Sequence, residues 1–451
     1  MKFLSSYELS LVFYGMRSFI QILIYIFIIL TLNSMFKDKN LTLTKLQSIT
    51  IILIICFNLS LPAFSSNDFY YYLGLGRIQS IQNVNPYLIP IANAPEKEIT
   101  SIIGVWVNIT AMYAPILTYF FKLVTSISTN LLTEIFFLKI LTLIAYLSVS
   151  ILVYKISEFY KEGLGKLSAM MFLIHPLSID EILINGHNDI FVILTSLIAI
   201  NFAIRSKFVL AFFFLFISIL IKFPFAILVP IFLSLPKSYK DEENSQSLSS
   251  FFKKIIWNSL RYALPAFIMT LPLIVFFYFE YFQNKESFKA FAILGSMWTT
   301  STPAMIAVFF KEIIGISIGK AIGIILFVRF CFFPFLFYRS YKIKDKKTFL
   351  EEITFVLILF YLIFTAYIWP WYWVITIPLV FFRQEGTYVL HIISISIGFV
   401  LFWIFFHWNG KNLGLSLFQV KLIEYSLTYS LILILFIFPS LEKKIYQRLY
   451  D

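Results

Sequence analysis

Asp68 lies where a long apolar run meets a polar, aromatic stretch, and a carboxylate suits general-base chemistry. It follows the apolar run at 48–64 and opens a segment rich in tyrosine. A carboxylate is costly to keep beside hydrocarbon, so such a residue is a functional candidate by default. Within hydrogen-bond reach of a hydroxyl group, it would take the proton as that hydroxyl attacks a substrate. The simpler alternative is that Asp68 only caps the helix that follows it.

Further polar and aromatic groups follow Asp68 along the chain. A Gly-His-Asn-Asp turn ends at Asp189, Lys222 separates two half-length apolar runs, and a late turn carries three tryptophans. Cations can neutralise a phosphate, and aromatic rings can pack against a sugar. The combination suits a lipid-linked anionic substrate. The candidate binding residues are Tyr71, Arg77, Asn85, Tyr87, Trp106, Tyr113, His187, Asn188, Asp189, Lys222, Trp371 and Tyr372.

Each of these groups also has a purely structural explanation. The Gly-His-Asn-Asp turn can be a tight polar hairpin, Lys222 can extend its ammonium group to the membrane surface, and the tryptophans can form an aromatic belt. His175 is more often a buried core histidine than a ligand. His187 with Asp189 offers only two spaced ligands to a metal, which is a weak signal. We therefore expect no metal site and no cofactor. The sequence does not exclude a requirement for a divalent metal ion.

The composition shows that membrane helices must position these groups. The chain has 451 residues, of which 60% are hydrophobic and 13% are charged, and its mean hydropathy is +0.86. No soluble domain can bury that much apolar surface, and repeated apolar runs of about 18 or more residues indicate membrane helices. Runs such as 208–221 do not alternate as the strands of a membrane barrel would. The net charge of +12 then marks cytoplasmic loops rather than a nucleic-acid partner.

We predict an all-α polytopic membrane protein of about 13 helices, forming one domain over residues 1–451. A segment such as 371–383 is shorter than the usual ~20 residues, which indicates either a broken helix or no helix there. The predicted spans are 10–32, 48–64, 131–154, 167–184, 189–204, 208–221, 223–235, 255–279, 315–338, 350–368, 371–383, 387–407 and 422–440.

The basic residues predict how the chain is oriented. One set of loops holds 21 of the 36 lysines and arginines, and the opposite set holds 9. By the positive-inside rule the larger set is cytoplasmic. Asp68 and the loops 65–130 and 280–314 are then external, and the loop 236–254 is cytoplasmic. The N-terminus is predicted outside and the C-terminus in the cytoplasm.

This orientation requires two helices of the first external loop to lie in the membrane interface. The segment 112–127 is apolar enough to span, but counting it as a span would place the later lysines outside. We therefore predict that it lies in the outer interface, with Pro115 in its first turn, where a missing N–H costs nothing. The stretch 69–81 has Tyr71, Leu75 and Ile78 on one face and is predicted to be a second such helix.

The order of the motifs resembles the first extracytoplasmic loop of GT-C glycosyltransferases. Asp68 with its tyrosines and a Gly-Arg at Arg77, the Asn-Pro-Tyr ending at Tyr87, Trp106 and the Tyr-Ala-Pro beginning at Tyr113 are similar to motifs of mannosyltransferases that depend on polyprenyl-phosphate mannose. These include the enzymes that extend lipomannan.

Later motifs extend this resemblance to about residues 65–383. The Gly-His-Asn-Asp turn, the Lys-Phe-Pro at 222–224 and the Pro-Trp-Tyr at 370–372 each resemble a family motif. The chain departs from the pattern at His175, where asparagine is usual, and at Ala114, where glycine is usual. A span before Asp68 is also less common in the family.

The resemblance implies inverting transfer of a hexose, with mannose the favoured sugar, from a polyprenyl-phosphate donor to a hydroxyl of a glycolipid or glycan. The reaction would occur at the outer face of the cell membrane, with Asp68 as general base. Arg77, Lys222 or His187 would stabilise the leaving phosphate, unless His187 with Asn188 and Asp189 holds the donor sugar or orients the base.

Two other classes of function remain open from the residues alone. A glycan polymerase or ligase with an undecaprenyl-diphosphate donor would centre on external arginines and a large late loop. A lipid or solute transporter would show inverted repeats and charges near the membrane midplane.

Overall fold

The computed structural model describes residues 45–63, 66–93, 99–235, 247–289, 301–317, 330, 332–365 and 369–382, with isolated residues between 419 and 429. The regular structure of these residues is helical, and none of them forms a strand. The principal helices are α1 (Lys45–Ser60), α2 (Asp68–Ser80), α3 (Pro115–Thr125), α4 (Leu131–Tyr160), α5 (Leu164–Leu173), α6 (Asp189–Ile204), α7 (Phe208–Ile221), α8 (Leu248–Tyr281), α9 (Thr302–Glu312) and α10 (Lys346–Leu359).

Two described helices, α4 and α8, are long and apolar enough to cross a membrane. With 30 residues, α4 is about 45 Å long at 1.5 Å per residue, which exceeds the ~30 Å hydrocarbon core. A third candidate span is a bent pair, in which α5 and the segment Pro176–Ile184 meet at 51°. The described part of the chain is therefore compatible with a helical membrane protein.

Several predicted spans differ in detail from the observed helices. The segment predicted at 371–383 is not one continuous helix, because α-helix is confined to Pro370–Trp373 and turns follow it. The loop predicted at 236–254 ends earlier, since α8 begins at Leu248, where Ser247 accepts a hydrogen bond from the backbone N–H of Ser250 at 3.2 Å. A polar N-cap of this kind starts a helix independently of hydropathy.

Part of the predicted topology lies outside the described residues. This applies to the spans at 10–32 and 387–407, to most of 422–440 and 315–338, and to both chain termini. The total of 13 spans and the single-domain organisation therefore stay predictions.

The helices α2 and α3 pack closely against each other within the first predicted external loop. A Cβ atom at Gly76 would overlap the carbonyl oxygen of Phe121 in α3. Beyond this contact, Gln79 donates to the carbonyl of Thr118 at 3.2 Å and accepts from Tyr281 of α8 at 2.6 Å. The helix α3 forms within the segment predicted at 112–127, whereas α2 begins one residue before the segment predicted at 69–81. Their placement in the membrane interface stays a prediction.

Candidate active site

Asp68 is the first residue of α2, and it does not act as the helix cap. Asn67 occupies the N-cap position, and the backbone N–H of Asp68 donates to Ser66 Oγ at 3.2 Å. The Asp68 side chain is buried, and its Oδ2 lies 3.7 Å from Nδ1 of His187. The capping explanation is therefore not supported, and the carboxylate faces a histidine that lies 119 residues further along the chain.

A wide helical turn presents His187 to this carboxylate. The segment Ile179–Ile184 is π-helical, a form that is rare and frequent at functional sites. Gly186 follows with a φ of +64°, which favours glycine, and a Cβ atom there would overlap the ring of Phe69. Lys139 of α4 donates to the last two carbonyl groups of the π-helical segment at 2.8 and 2.6 Å. The turn thus depends on a glycine and on a buried ammonium group.

The His187 ring is held on three sides. It stacks on Trp371 with 4.0 Å between ring centroids and an interplanar angle of 13°. Its Nδ1 lies 3.4 Å from the hydroxyl of Tyr72, and its Nε2 lies 3.3 Å from Oε2 of Glu181. This last contact does not have the geometry of an in-line hydrogen bond. His187 is fully buried, so it supports Asp68 from behind instead of lining the surface.

Lys222 and Asp189 form a short ion pair next to these groups. Lys222 Nζ lies 2.6 Å from Asp189 Oδ1 and 4.0 Å from the centroid of the Tyr372 ring. Lys222 follows α7 in an extended conformation, and a 3-10 turn containing Pro224 comes after it. This break between two short helices directs a lysine into the protein instead of continuing an apolar face.

A narrow cleft joins these groups. Seven of the predicted site residues line it, and Tyr72 and Met112 line it without having been predicted. The nine lining residues are Asp68, Tyr72, Trp106, Met112, Tyr113, Asn188, Lys222, Trp371 and Tyr372. One carboxylate, one cation and several aromatic rings therefore face a single space.

Arg77 is not part of this cleft. Its guanidinium lies 3.0 Å from both carboxylate oxygens of Glu134 in α4 and 3.3 Å from the carbonyl oxygen of Thr129. Both members of the pair are buried. The structure thus pairs Arg77 with a carboxylate 57 residues away, and the predicted contact of Arg77 with a substrate stays a prediction.

Three other predicted site residues support the loop that carries the cleft. Asn85 accepts from the backbone N–H of Tyr87 and donates to the carbonyl of Tyr281, both at 2.9 Å. The Tyr87 hydroxyl donates to the carbonyl of Tyr113 at 2.6 Å. Tyr71 donates to the carbonyl of Thr110 at 2.9 Å. These residues place Tyr113 and the neighbouring loop against the cleft and do not line it themselves.

Burial shifts the pKa values of Asp68 and His187, the two groups that face each other. Desolvation raises the pKa of Asp68 above its usual value, although the nearby His187 and Lys222 oppose the shift. Desolvation also lowers the pKa of His187 to about 4, against the carboxylates of Asp68 and Asp189. His187 is therefore neutral at pH 7, and Asp68 is a stronger base than an exposed aspartate.

Sequence reasoning missed Glu181 and Tyr72. Glu181 is fully buried behind His187, and it falls inside the span predicted at 167–184. A carboxylate within a predicted span is itself a functional signal, so the sequence contained the clue. Tyr72 is the last of three consecutive tyrosines, and the sequence does not show which of their hydroxyl groups faces His187. The packing of the helices shows that it is the hydroxyl of Tyr72.

Among the described residues, no group of three or more His, Cys, Asp or Glu side chains could hold a metal ion. The expectation that no metal is required stays a prediction.

Residues 5–236 of the chain match a known protein family. A family of α-(1→6)-mannopyranosyltransferases, represented by its N-terminal domain, matches residues 5–236. The chain belongs to this family and is a mannosyltransferase, as the resemblance to GT-C mannosyltransferases implied. No curated protein and no solved structure matches the chain. Membership of an enzyme family decides between transferase and transporter.

Proposed function

We propose that the chain transfers mannose from a polyprenyl-phosphate donor to a hydroxyl group of a glycolipid or glycan, with Asp68 as general base. The observation that carries this proposal is the lining of the cleft. Of the described residues that line it, Asp68 is the single carboxylate and Lys222 is the single cation. A base for the acceptor and a counter-charge for the leaving group are what such a transfer requires.

One displacement step fits this pair of groups. The acceptor oxygen forms a bond to the anomeric carbon of mannose while the bond from that carbon to the phosphate oxygen breaks. The acceptor proton passes to Asp68, and the leaving polyprenyl phosphate keeps the electron pair. A single displacement inverts the anomeric carbon, and it needs no second carboxylate as nucleophile. Asp189, the carboxylate next to Asn188 of the cleft, is engaged by Lys222 at 2.6 Å.

Lys222 is the residue we assign to the leaving phosphate. Its side chain is 14% exposed, and it lies over the ring of Tyr372 at the cleft. Developing negative charge in a partly desolvated cleft is stabilised more strongly than in water. Arg77 was predicted from the sequence as an alternative for this role, but its guanidinium forms an ion pair with Glu134.

Two buried polar atoms of the protein can bind the donor sugar. Asn188 Nδ2 and Asp189 Oδ2 are buried and have no hydrogen-bond partner within the described part of the chain. An unsatisfied buried polar group is costly, and a sugar hydroxyl can satisfy a donor and an acceptor together. Asn188 lines the cleft and Asp189 follows it at the start of α6. We assign both to the donor sugar.

The distribution of basic residues supports an outward-facing cleft. Tyr160, at the end of α4, donates to Glu351 of α10 at 2.7 Å, and Lys346 donates to Ser206, between α6 and α7, at 2.9 Å. These bonds gather three lysine-bearing connections at one end of the bundle. The cleft lies near the start of α6 and the turn before it, at the opposite end of that helix. By the positive-inside rule the cleft is extracytoplasmic.

The test is transfer by the protein reconstituted in liposomes with polyprenyl-phosphate mannose and a glycolipid acceptor. Asp68→Asn keeps the shape of the side chain and removes the base, so we expect kcat to fall by about 10²–10⁴-fold. The matched control is Asp345→Asn, because Asp345 only caps α10 and asparagine caps a helix equally well.

Two results would contradict the proposal. Wild-type turnover by Asp68→Asn would show that Asp68 is not the base. Absence of transfer by the wild type, when the same preparation transfers sugar from another lipid-linked donor, would show that the donor is wrong.

A further inference from the structure

Glu181 has no part in the transfer described above, yet it contacts the one residue behind the base. Its Oε2 lies 3.3 Å from His187 Nε2, and both side chains have no exposed surface. Asn185 donates to the same oxygen at 3.3 Å. A carboxylate this close to a ring nitrogen bears on which of the two ring nitrogens carries the proton.

We propose that Glu181 is a positioning residue that fixes the tautomer of His187, with the proton on Nε2 and the lone pair of Nδ1 turned toward Asp68. For the catalytic consequence, this inference rests on the proposed role of Asp68. The tautomer itself does not depend on that role.

The tautomer follows from the hydrogen-bonding capacity of the groups. A neutral imidazole has one N–H and one lone pair, and an ionised carboxylate only accepts. We take Glu181 to be ionised, and the ring nitrogen beside it, 3.3 Å from Oε2, is then the protonated one, even though the N–H and the oxygen are not in line. Nδ1 then accepts the hydroxyl proton of Tyr72, which lies 3.4 Å away.

The lone pair on His187 Nδ1 can stabilise Asp68 after this carboxylate has received the proton of the acceptor. After the acceptor hydroxyl has given up its proton, Asp68 is a neutral acid with an O–H donor. His187 Nδ1 lies 3.7 Å from Asp68 Oδ2, close enough to accept from that donor, in place of the Tyr72 hydroxyl, after a small movement. The opposite tautomer would instead point an N–H at the carboxylate, which would stabilise its ionised form and weaken it as a base.

The surroundings hold the imidazole ring in one orientation, which keeps Nε2 beside Glu181 and Nδ1 beside Asp68. Trp371 covers one face of the imidazole at 4.0 Å, and the backbone N–H of His187 donates to the carbonyl of Glu181 at 2.9 Å. The charged and titratable groups around the ring are Asp68 and Tyr72 from α2, Glu181 from the π-helical segment, Asp189 from α6 and Lys222 after α7.

The direct test is the nitrogen NMR spectrum of the protein labelled with ¹⁵N in the histidine rings. The chain has four histidines, so His187→Gln identifies the signals of His187 by their loss. We expect a protonated Nε2 and an unprotonated Nδ1 at neutral pH in the wild type. Glu181→Gln, whose amide can donate or accept, is expected to give a mixture of tautomers, and Glu181→Asp is expected to restore the wild-type form.

A matched control separates this effect from the loss of any buried carboxylate. Glu352 is buried and paired with Arg339 at 2.6 Å, and it does not line the cleft, so Glu352→Gln is expected to leave the His187 signals unchanged. An unchanged tautomer in Glu181→Gln, or an Nδ1–H tautomer in the wild type, would overturn the proposal. Neither result would bear on whether the protein transfers mannose.

Kinetics give a second readout that a merely structural role would not move. We expect Glu181→Gln to lower kcat by up to about 10²-fold with little change in KM. The Glu181 charge contributes to the raised pKa of Asp68, so its removal shifts the acidic limb of the kcat profile to lower pH. A wild type that transfers mannose while Glu181→Gln has the same kcat and pH profile would refute the catalytic consequence alone.

Discussion

Arg77–Glu134 and Lys222–Asp189 are ion pairs that join distant parts of the chain, the first buried and the second partly exposed, and they differ in whether both carboxylate oxygens are engaged. The arginine contacts both oxygens of its partner and a backbone carbonyl as well. In the lysine pair, Asp189 Oδ2 has no partner among the described residues, and the ammonium faces a cleft. A closed pair holds helices together, whereas an open pair is suited to bind a ligand.

Breaking the closed pair should produce the largest change, and the change should be in stability. Arg77→Met leaves the Glu134 charge buried without its cation, which is expected to cost about 3–5 kcal/mol of unfolding free energy. The folded fraction should keep a near wild-type kcat. Thermal unfolding in detergent and turnover per folded molecule measure the two effects.

The double variant Arg77→Met/Glu134→Gln sharpens this result. It removes both charges and should recover most of the lost stability. If Arg77→Met instead lowered kcat strongly with an unchanged unfolding temperature, the arginine would belong to the substrate site and the contrast would fail.

Breaking the open pair should affect turnover. Lys222→Met is expected to lower kcat by about 10²–10³-fold, as for the loss of one group that stabilises transition-state charge. Lys222→Arg should keep part of the activity because it keeps the charge. Lys122→Met is the control, since Lys122 pairs with Glu280 and does not line the cleft. Equal turnover of Lys222→Met and Lys122→Met would remove Lys222 from the mechanism.

The turn that carries His187 offers a smaller, mixed effect. Gly186→Ala places a Cβ atom at a φ of +64°, which costs about 1–2 kcal/mol, and against the Phe69 ring next to Asp68. We expect both the unfolding temperature and kcat to fall. Gly163→Ala has a similar φ of +83° but open space around it, so it should lower stability alone. Equal kcat losses in the two variants would refute a special role for the His187 turn.

The smallest expected effect concerns the aromatic ring beneath Lys222. Tyr372→Leu removes a cation–π contact worth about 0.5–2 kcal/mol and should raise the KM for the donor by up to roughly tenfold. Tyr372→Trp keeps an aromatic face and should stay close to the wild type. A leucine variant with unchanged KM would show that the ring is only part of an aromatic belt.

Much of the local structure was predictable from residue patterns. The helices α6 (Asp189–Ile204) and α7 (Phe208–Ile221) have the bounds predicted from hydropathy, because uninterrupted apolar runs with a polar residue at each end leave little choice. The segment at 371–383 was not predictable in this way, since its apolar residues pack in turns inside the protein. The hydropathy of a segment indicates whether it is buried. It does not distinguish a buried helix from a buried turn.

The sequence by itself determined the class of the protein, the order of its motifs and the residues Asp68, Lys222 and Trp371 of the cleft. Each of these three residues interrupts an apolar run, and a polar or bulky side chain at such a place indicates a role in function. Only the tertiary structure decided that Arg77 pairs with Glu134, that Tyr87 supports a loop, and that Glu181 lies behind His187. These outcomes depend on distances between side chains far apart in the chain, and helix packing alone sets them.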